Sequence, residues 1–259
     1  MTSEAAILGL VIGFLVGLTG MGGGAMMTPI LVWAGWAPPA LAVGTNLVWT
    51  TITKIVGATV HYRENNVNLR LVWQLAKGSI PGAVLGVYVF GALKQRVSLE
   101  YMDRLIIHLL GVSLITVGLC IAAREYLSRY YRSRDKLLAD DEGISSRWVP
   151  AIGFVVGLLV VFTSVGSGSL IITTLLLLFP GERLNRLVGS DVFHGLLLVG
   201  VAAFGHWHFG DVDMPLVGSL LIGSVPGVGL GSLLARRVPD RVLRPSLAML
   251  LFVTGVKLI

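Results

Sequence analysis

Gly20-Met21-Gly22-Gly23-Gly24, continuing Ala25-Met26-Met27-Thr28-Pro29, interrupts an otherwise apolar stretch. The event recurs at Ser164-Val165-Gly166-Ser167-Gly168, continuing Ser169-Leu170-Ile171-Ile172. The apolar runs that follow, 25–35 and 169–179, are short. A helix needs about 20 apolar residues to cross a bilayer. Each break therefore predicts a broken or re-entrant pair of helices. Non-helical backbone at membrane depth is tolerated where it lines a cavity or is buried in protein.

The composition supplies the membrane. Of 259 residues, 54% are hydrophobic and 13% charged, with a mean hydropathy of +0.82. A soluble domain carries about 25% charged residues, so this chain cannot clothe a globule of its size in polar surface. Disorder, a nucleic-acid arm and an ordinary cytosolic enzyme are excluded. An all-α polytopic membrane protein remains, and 33 glycines fit that class. A net charge of +6 reads as Lys and Arg gathered in cytoplasmic loops, not as a nucleic-acid surface. Cys120 stands alone and reads as a small buried hydrophobe. The start, MTSEAAILGL, lacks a basic region and reads as a first membrane segment, not a cleaved signal.

The remaining segments fall at roughly 5–19, 41–61, 71–93, 101–123, 149–163, 186–205, 214–234 and 241–258. A polar stretch at 124–147 divides a first transmembrane repeat, 1–123, from a second, 148–259. The halves match in order. Val43-Gly44-Thr45-Asn46 aligns with Val188-Gly189-Ser190-Asp191, and His61 with His206. Asn66-Val67-Asn68 aligns with Asp211-Val212-Asp213, and Gly78-Ser79-Ile80-Pro81-Gly82 with Gly223-Ser224-Val225-Pro226-Gly227. Ordered Gly, Pro, Asn and Asp matches at one offset indicate duplication. If each short segment enters and leaves on one side, the loops 62–70, 124–147, 180–186 and 235–244 share a side. That side holds fourteen Lys and Arg, and the other holds Lys94, Arg96, Arg104 and Lys257. The positive-inside rule then predicts a cytoplasmic 124–147 loop, both termini outside and two inverted-topology repeats, each with a broken pair and three spanning helices. Such repeats are typical of secondary transporters with a midplane site.

The helices opening after the breaks would point free N–H groups and a positive dipole end inward. Two such ends form a candidate anion site, with Gly22, Gly23, Gly24, Ala25, Gly166, Ser167, Gly168 and Ser169 supplying backbone. The alternative is that the glycines serve helix packing alone. Asn46, Thr50, Lys54, Gly57 and His61 share one helical face. Lys54 sits mid-segment, where a lysine costs about 3 kcal/mol unless it meets a cavity or partner. It is the expected counter-charge for an anion; a structural ion pair is the other reading. Its second-half equivalent is Val199. Thr45, Asn46, Ser190 and Asp191 would line the site. A membrane-embedded carboxylate can carry a proton, which makes Asp191, with His194, the proton-coupling candidate. Lys77, His108 and Lys257 read as snorkelling or packing groups. His206, His208, Asp211 and Asp213 suggest metal ligands only weakly and read as an interfacial loop. No Walker A, G-x-S-x-G or HExxH pattern occurs, so neither catalytic residues nor a cofactor is expected.

The glycine cluster with Pro29, the Val43-Gly44-Thr45-Asn46 motif and their second-half echoes resemble the sulfite exporter TauE/SafE family across nearly the whole chain. The resemblance implies an inner-membrane permease exporting sulfite, a small organosulfonate or a related sulfur anion. The expectation is a secondary transporter working by alternating access. Its expected partners are a small anion, the lipid bilayer and protons, with homo-oligomerisation open and nucleic acid excluded. An anion channel, a permease for another small carboxylate or oxyanion, and a membrane enzyme using His206, His208, Asp211 and Asp213 are the alternatives.

Overall fold

The computed structural model describes residues 2–19, 24–132, 148–179, 184–235 and 240–259. Every regular element among them is a helix: α1 Thr2–Thr19, α2 Gly24–Trp33, α3 Pro39–Arg63, α4 Leu69–Arg96, α5 Leu99–Arg132, α6 Trp148–Thr163, α7 Ser169–Leu178, α8 Leu184–His208, α9 Met214–Ala235 and α10 Asp240–Leu258. Four stretches are long and apolar enough to cross a membrane: Leu69–Arg96, Leu99–Ala122, Asn185–His208 and Met214–Leu234. Shorter apolar helices stand beside them at Ser3–Leu18, Gly24–Trp33, Trp148–Thr163 and Pro245–Leu258. α3 is long enough at 25 residues but carries the polar face of Asn46, Thr50 and Lys54. Large apolar side chains such as Val56, Tyr88, Ile222 and Leu233 face outward, as a lipid solvent requires. The helix α5 runs past 123 to Arg132, so the polar stretch begins as a helical extension. Residues 133–147 lie outside the described residues.

The halves pack reciprocally. α1 lies along α9 and, equivalently, α6 lies along α4; α3 pairs with α8 and α5 with α10. Glycines set the α1–α9 and α4–α6 distances. A Cβ at Gly78 would fall on the Pro150 carbonyl of α6, and one at its equivalent, Gly223, would fall on the Ala6 carbonyl of α1. Gly82 and Gly227 continue the two seams against Phe154 and Leu10. Lipid tails are as apolar as the helix surfaces, so association rests on close backbone packing, which small residues permit.

Hydrogen bonds repeat the same correspondence. The turn after α3 carries Asn65 at φ 56°, and the turn after α8 carries Gly210 at φ 74°. Asn66 N–H donates to the His61 carbonyl, and Asp211 N–H to the His206 carbonyl, both at 2.9 Å. Asn68 Oδ1 caps α4 by accepting from Leu71 N–H, and Asp213 Oδ1 caps α9 by accepting from Leu216 N–H. The capping residues are held in turn by the opposite half. Asn68 N–H donates to Ser190 Oγ at 2.8 Å, and Asp213 N–H to Thr45 Oγ1 at 3.0 Å. Gly44 and Gly189 let those turns approach, since a Cβ at either would strike the Asp211 or Asn66 carbonyl. One end carries an addition: Lys94 Nζ meets both Asp211 oxygens at 2.7 Å and the Phe209 carbonyl at 2.8 Å.

If close packing holds the halves together, Gly78→Ala and Gly223→Ala each lose about 2 kcal/mol or more through overpacking. Gly218→Ala, with nothing near its Cβ, is unchanged or slightly stabilised. Thermal unfolding in detergent compares the three.

Candidate functional site

The start of α2 and the break before α7 meet against α3 at Asn46. Asn46 is fully buried there. Its Nδ2 lies 2.8 Å from the Gly24 carbonyl at the start of α2, 2.7 Å from Thr28 Oγ1 and 2.9 Å from Ser164 Oγ. Its two N–H bonds are therefore shared among three oxygens. Thr28 Oγ1 and Ser164 Oγ are themselves 2.7 Å apart, which joins the first broken pair directly to the second. Thr50 Oγ1 donates to Asn46 Oδ1 at 3.1 Å and fixes the amide orientation.

The second break is a left-handed turn. Ser164 has φ 56° and Gly166 φ 112°; the latter suits a residue without a Cβ. Ser164 Oγ donates to the Thr163 carbonyl at 2.6 Å. α7 then opens at Gly168 with no side chain capping it, leaving the positive end of its dipole directed into the break. Lys54, one turn beyond Thr50 on α3, is 7% exposed and donates from Nζ to the Ser167 carbonyl at 3.1 Å. Gly195 of α8 makes room for it, because a Cβ there would collide with Lys54 Nζ and crowd the Ser167 carbonyl. Asp191, one turn earlier on α8, interacts electrostatically with Lys54. A buried ammonium, an uncapped helix start and the charge of one carboxylate thus act at one place. That set can hold one anion and exchange charge with a proton.

The structure gathers Gly24, Asn46, Lys54, Ser167, Gly168 and Asp191 around the breaks. Ala25 and Ser169 lie in the first turns of α2 and α7. Gly22 and Gly23 lie outside the described residues. Thr45 and Ser190 point elsewhere, to the capping turns of α9 and α4. Gly57 lies against Val192, and His61 stands by Gly189. His194 is fully buried beside Ser79. Lys77, His108 and Lys257 are exposed. Thr28 and Ser164 join the site without having been singled out; their signal was a hydroxyl within or just after each break.

The loop residues weighed as metal ligands have other partners. His206 Nε2 lies 2.8 Å from the Val161 carbonyl, Asp211 pairs with Lys94, and Asp213 caps α9. His208 is exposed beside Phe209. Among the described residues no cluster of three or more His, Cys, Asp or Glu is placed to hold a metal.

Asn46 is the tie between the breaks. Asn46→Ala is expected to cost about 1–3 kcal/mol by stranding buried polar partners. Ser232→Ala, which removes one exposed local bond, should stay within about 0.5 kcal/mol. Unfolding midpoints of the two purified variants check this.

Comparison with known proteins places this architecture. Residues 5–258 match the family model described as Sulfite exporter TauE/SafE. The chain is 39% identical to "Probable membrane transporter protein YjnA" of Bacillus subtilis (strain 168), with all of both chains covered. It is 25% identical to a "Probable membrane transporter protein" of Haemophilus influenzae, covering 97% of this chain and 96% of the relative. A third, "Probable membrane transporter protein YdhB" of Bacillus subtilis, is 23% identical over 98% of this chain and 96% of its own. No solved structure matches the chain. A multi-pass helical bundle with paired breaks at its centre and relatives of this kind has one family assignment: the chain belongs to the sulfite exporter TauE/SafE family of membrane transporters.

Proposed function

We propose that this family member is a secondary transporter that exports a small sulfur oxyanion, such as sulfite or an organosulfonate, across the inner membrane. The observation that carries this reading is Lys54, whose buried ammonium reaches the Ser167 carbonyl at the uncapped start of α7. A positive charge and a helix amino terminus at one buried point favour an anion. Both breaks contribute: backbone N–H groups of Gly22 to Ala25 and of Gly166 to Ser169 bind the anion's oxygens. Asn46 ties the two binding loops together. Asp191 balances Lys54 when the site is empty, and with His194 it couples the anion to a proton.

In this reading the halves are inverted in the membrane, with the 124–147 loop in the cytoplasm and both termini outside. The distribution of Lys and Arg along the chain supports that orientation. The paired contacts Thr45–Asp213 and Ser190–Asn68 then close opposite faces. Rocking of one half against the other opens them in turn, giving alternating access.

The test is a thermal-shift panel of sulfite, sulfate, methanesulfonate and acetate, followed by flux in proteoliposomes. A bound anion stabilises the state that holds it. Lys54→Ala is expected to abolish the shift and lower flux about 30-fold or more, the cost of removing a desolvated counter-charge. Unchanged flux in Lys54→Ala would remove the counter-charge role.

A further inference from the structure

Trp49 and His194 occupy equivalent positions on α3 and α8, both fully buried. Each binds a serine of the opposite half, and those serines are also equivalent. Trp49 Nε1 donates to Ser224 Oγ at 2.9 Å. An indole N–H is a donor only, so the serine accepts. His194 Nε2 stands 2.6 Å from Ser79 Oγ. Either atom of that pair can donate; in the sense that matches Trp49, Nε2–H donates to Ser79. The neutral ring then carries its lone pair on Nδ1. That nitrogen is buried without a hydrogen-bond partner. Packing alone does not call for it, since the equivalent position is filled by a side chain with no second nitrogen. A buried ring nitrogen left unpaired is costly; His61 and His206 share that state at Nδ1, and His194 is the one whose charge interacts with Lys54.

We infer that His194 Nδ1 is the atom that takes up the proton travelling with the anion, and that Ser79 is the positioning residue that holds the ring for it. This rests on the transport reading given above. In the step, a proton from the open aqueous face forms an N–H bond with the Nδ1 lone pair. The ring becomes an imidazolium and keeps its Nε2–H bond to Ser79. On the other face the Nδ1–H bond breaks and the proton returns to water with the anion. No other bond changes.

The charged neighbours explain why proton and anion move together. His194 interacts electrostatically with Lys54 of α3, and Asp191 lies one turn away on its own helix. α6 and α7 carry no ionisable side chain. On α4, Lys77 and Tyr88 are exposed, and His61 of α3 lies further along, against Gly189. Two cations side by side in a low-dielectric interior repel. Asp191 offsets one positive charge, and the bound anion offsets the second. Each ligand therefore strengthens the binding of the other, and that coupling is reciprocal. The equivalent residue is Trp49, so this pair of positions offers one titratable ring, and the proposed stoichiometry is one proton per anion.

The experiment uses the full chain in proteoliposomes with sulfite and methanesulfonate as probes and a gradient of one pH unit. His194→Gln keeps a donor for Ser79 but cannot titrate. Wild-type protein should accumulate the anion about tenfold per pH unit. His194→Gln should still exchange anion across equal pH and show no gradient-driven accumulation. Ser79→Ala should displace the pH profile of flux, whereas Ser224→Ala, which frees Trp49 instead, should leave it in place. These serine variants also carry the test if His194→Gln fails to fold. Undiminished accumulation by His194→Gln, or equal pH profiles for the two serine variants, overturns the role of His194 in proton coupling and leaves the anion site and its transport intact. Absence of flux of either anion in wild-type protein overturns both.

Discussion

A lysine ammonium in the middle of an apolar bundle must be answered by protein, and the Lys54–Ser167 contact is where this one is answered. The carbonyl is available only because the chain breaks between α6 and α7, leaving an oxygen no helix uses. Nζ can reach it only because position 195 is glycine. The charge is tolerable because Asp191 stands one turn away on α8. The amide of Asn46 and the hydroxyls of Thr28 and Ser164 then hold α2 and the second break against α3. Non-helical backbone, the buried cation and the cross-half bonds each supply what the others lack. Unpaired, any of them would be costly at this depth.

Around that point the halves repeat one another closely, yet the chemistry differs between them. The turns, caps, seams and cross-half bonds come in equivalent pairs. The ionisable groups do not: Lys54 corresponds to Val199, Asp191 to Asn46 and His194 to Trp49. The paired contacts recur in both halves, while Lys54, Asp191 and His194 have no ionisable equivalents. The Lys94–Asp211 pair follows the same pattern, because Asn66 stands where the other half has Asp211.

Much of this was legible in the sequence, for physical reasons that differ by feature. Helix positions were readable because apolar run length is set by the bilayer, and the breaks because glycine and serine interrupt those runs. The α3 face was readable because its spacing depends only on helical pitch. The duplication emerged from ordered Gly, Pro, Asn and Asp matches, and these proved to be residues in caps, turns and close approaches. Partnerships between distant segments were not readable. Thr45 and Ser190 looked like lining residues, since they sit beside Asn46 and Asp191. On a helix, adjacent residues face about 100° apart, and here that rotation delivers them to the caps of α9 and α4. The Thr28–Ser164 bond and the Lys94–Asp211 pair depend on how helices far apart in sequence come to lie, which spacing does not encode.

In the proposed transport cycle, anion movement requires the two faces to open in turn, and cross-linking each face separately tests this. In a Cys120→Ser background, Thr45→Cys with Asp213→Cys spans one face, and Ser190→Cys with Asn68→Cys spans the other. Oxidation across either face alone should stop sulfite flux, and reduction should restore it. Full flux through protein locked at one face would contradict alternating access and return the molecule to a fixed conducting path.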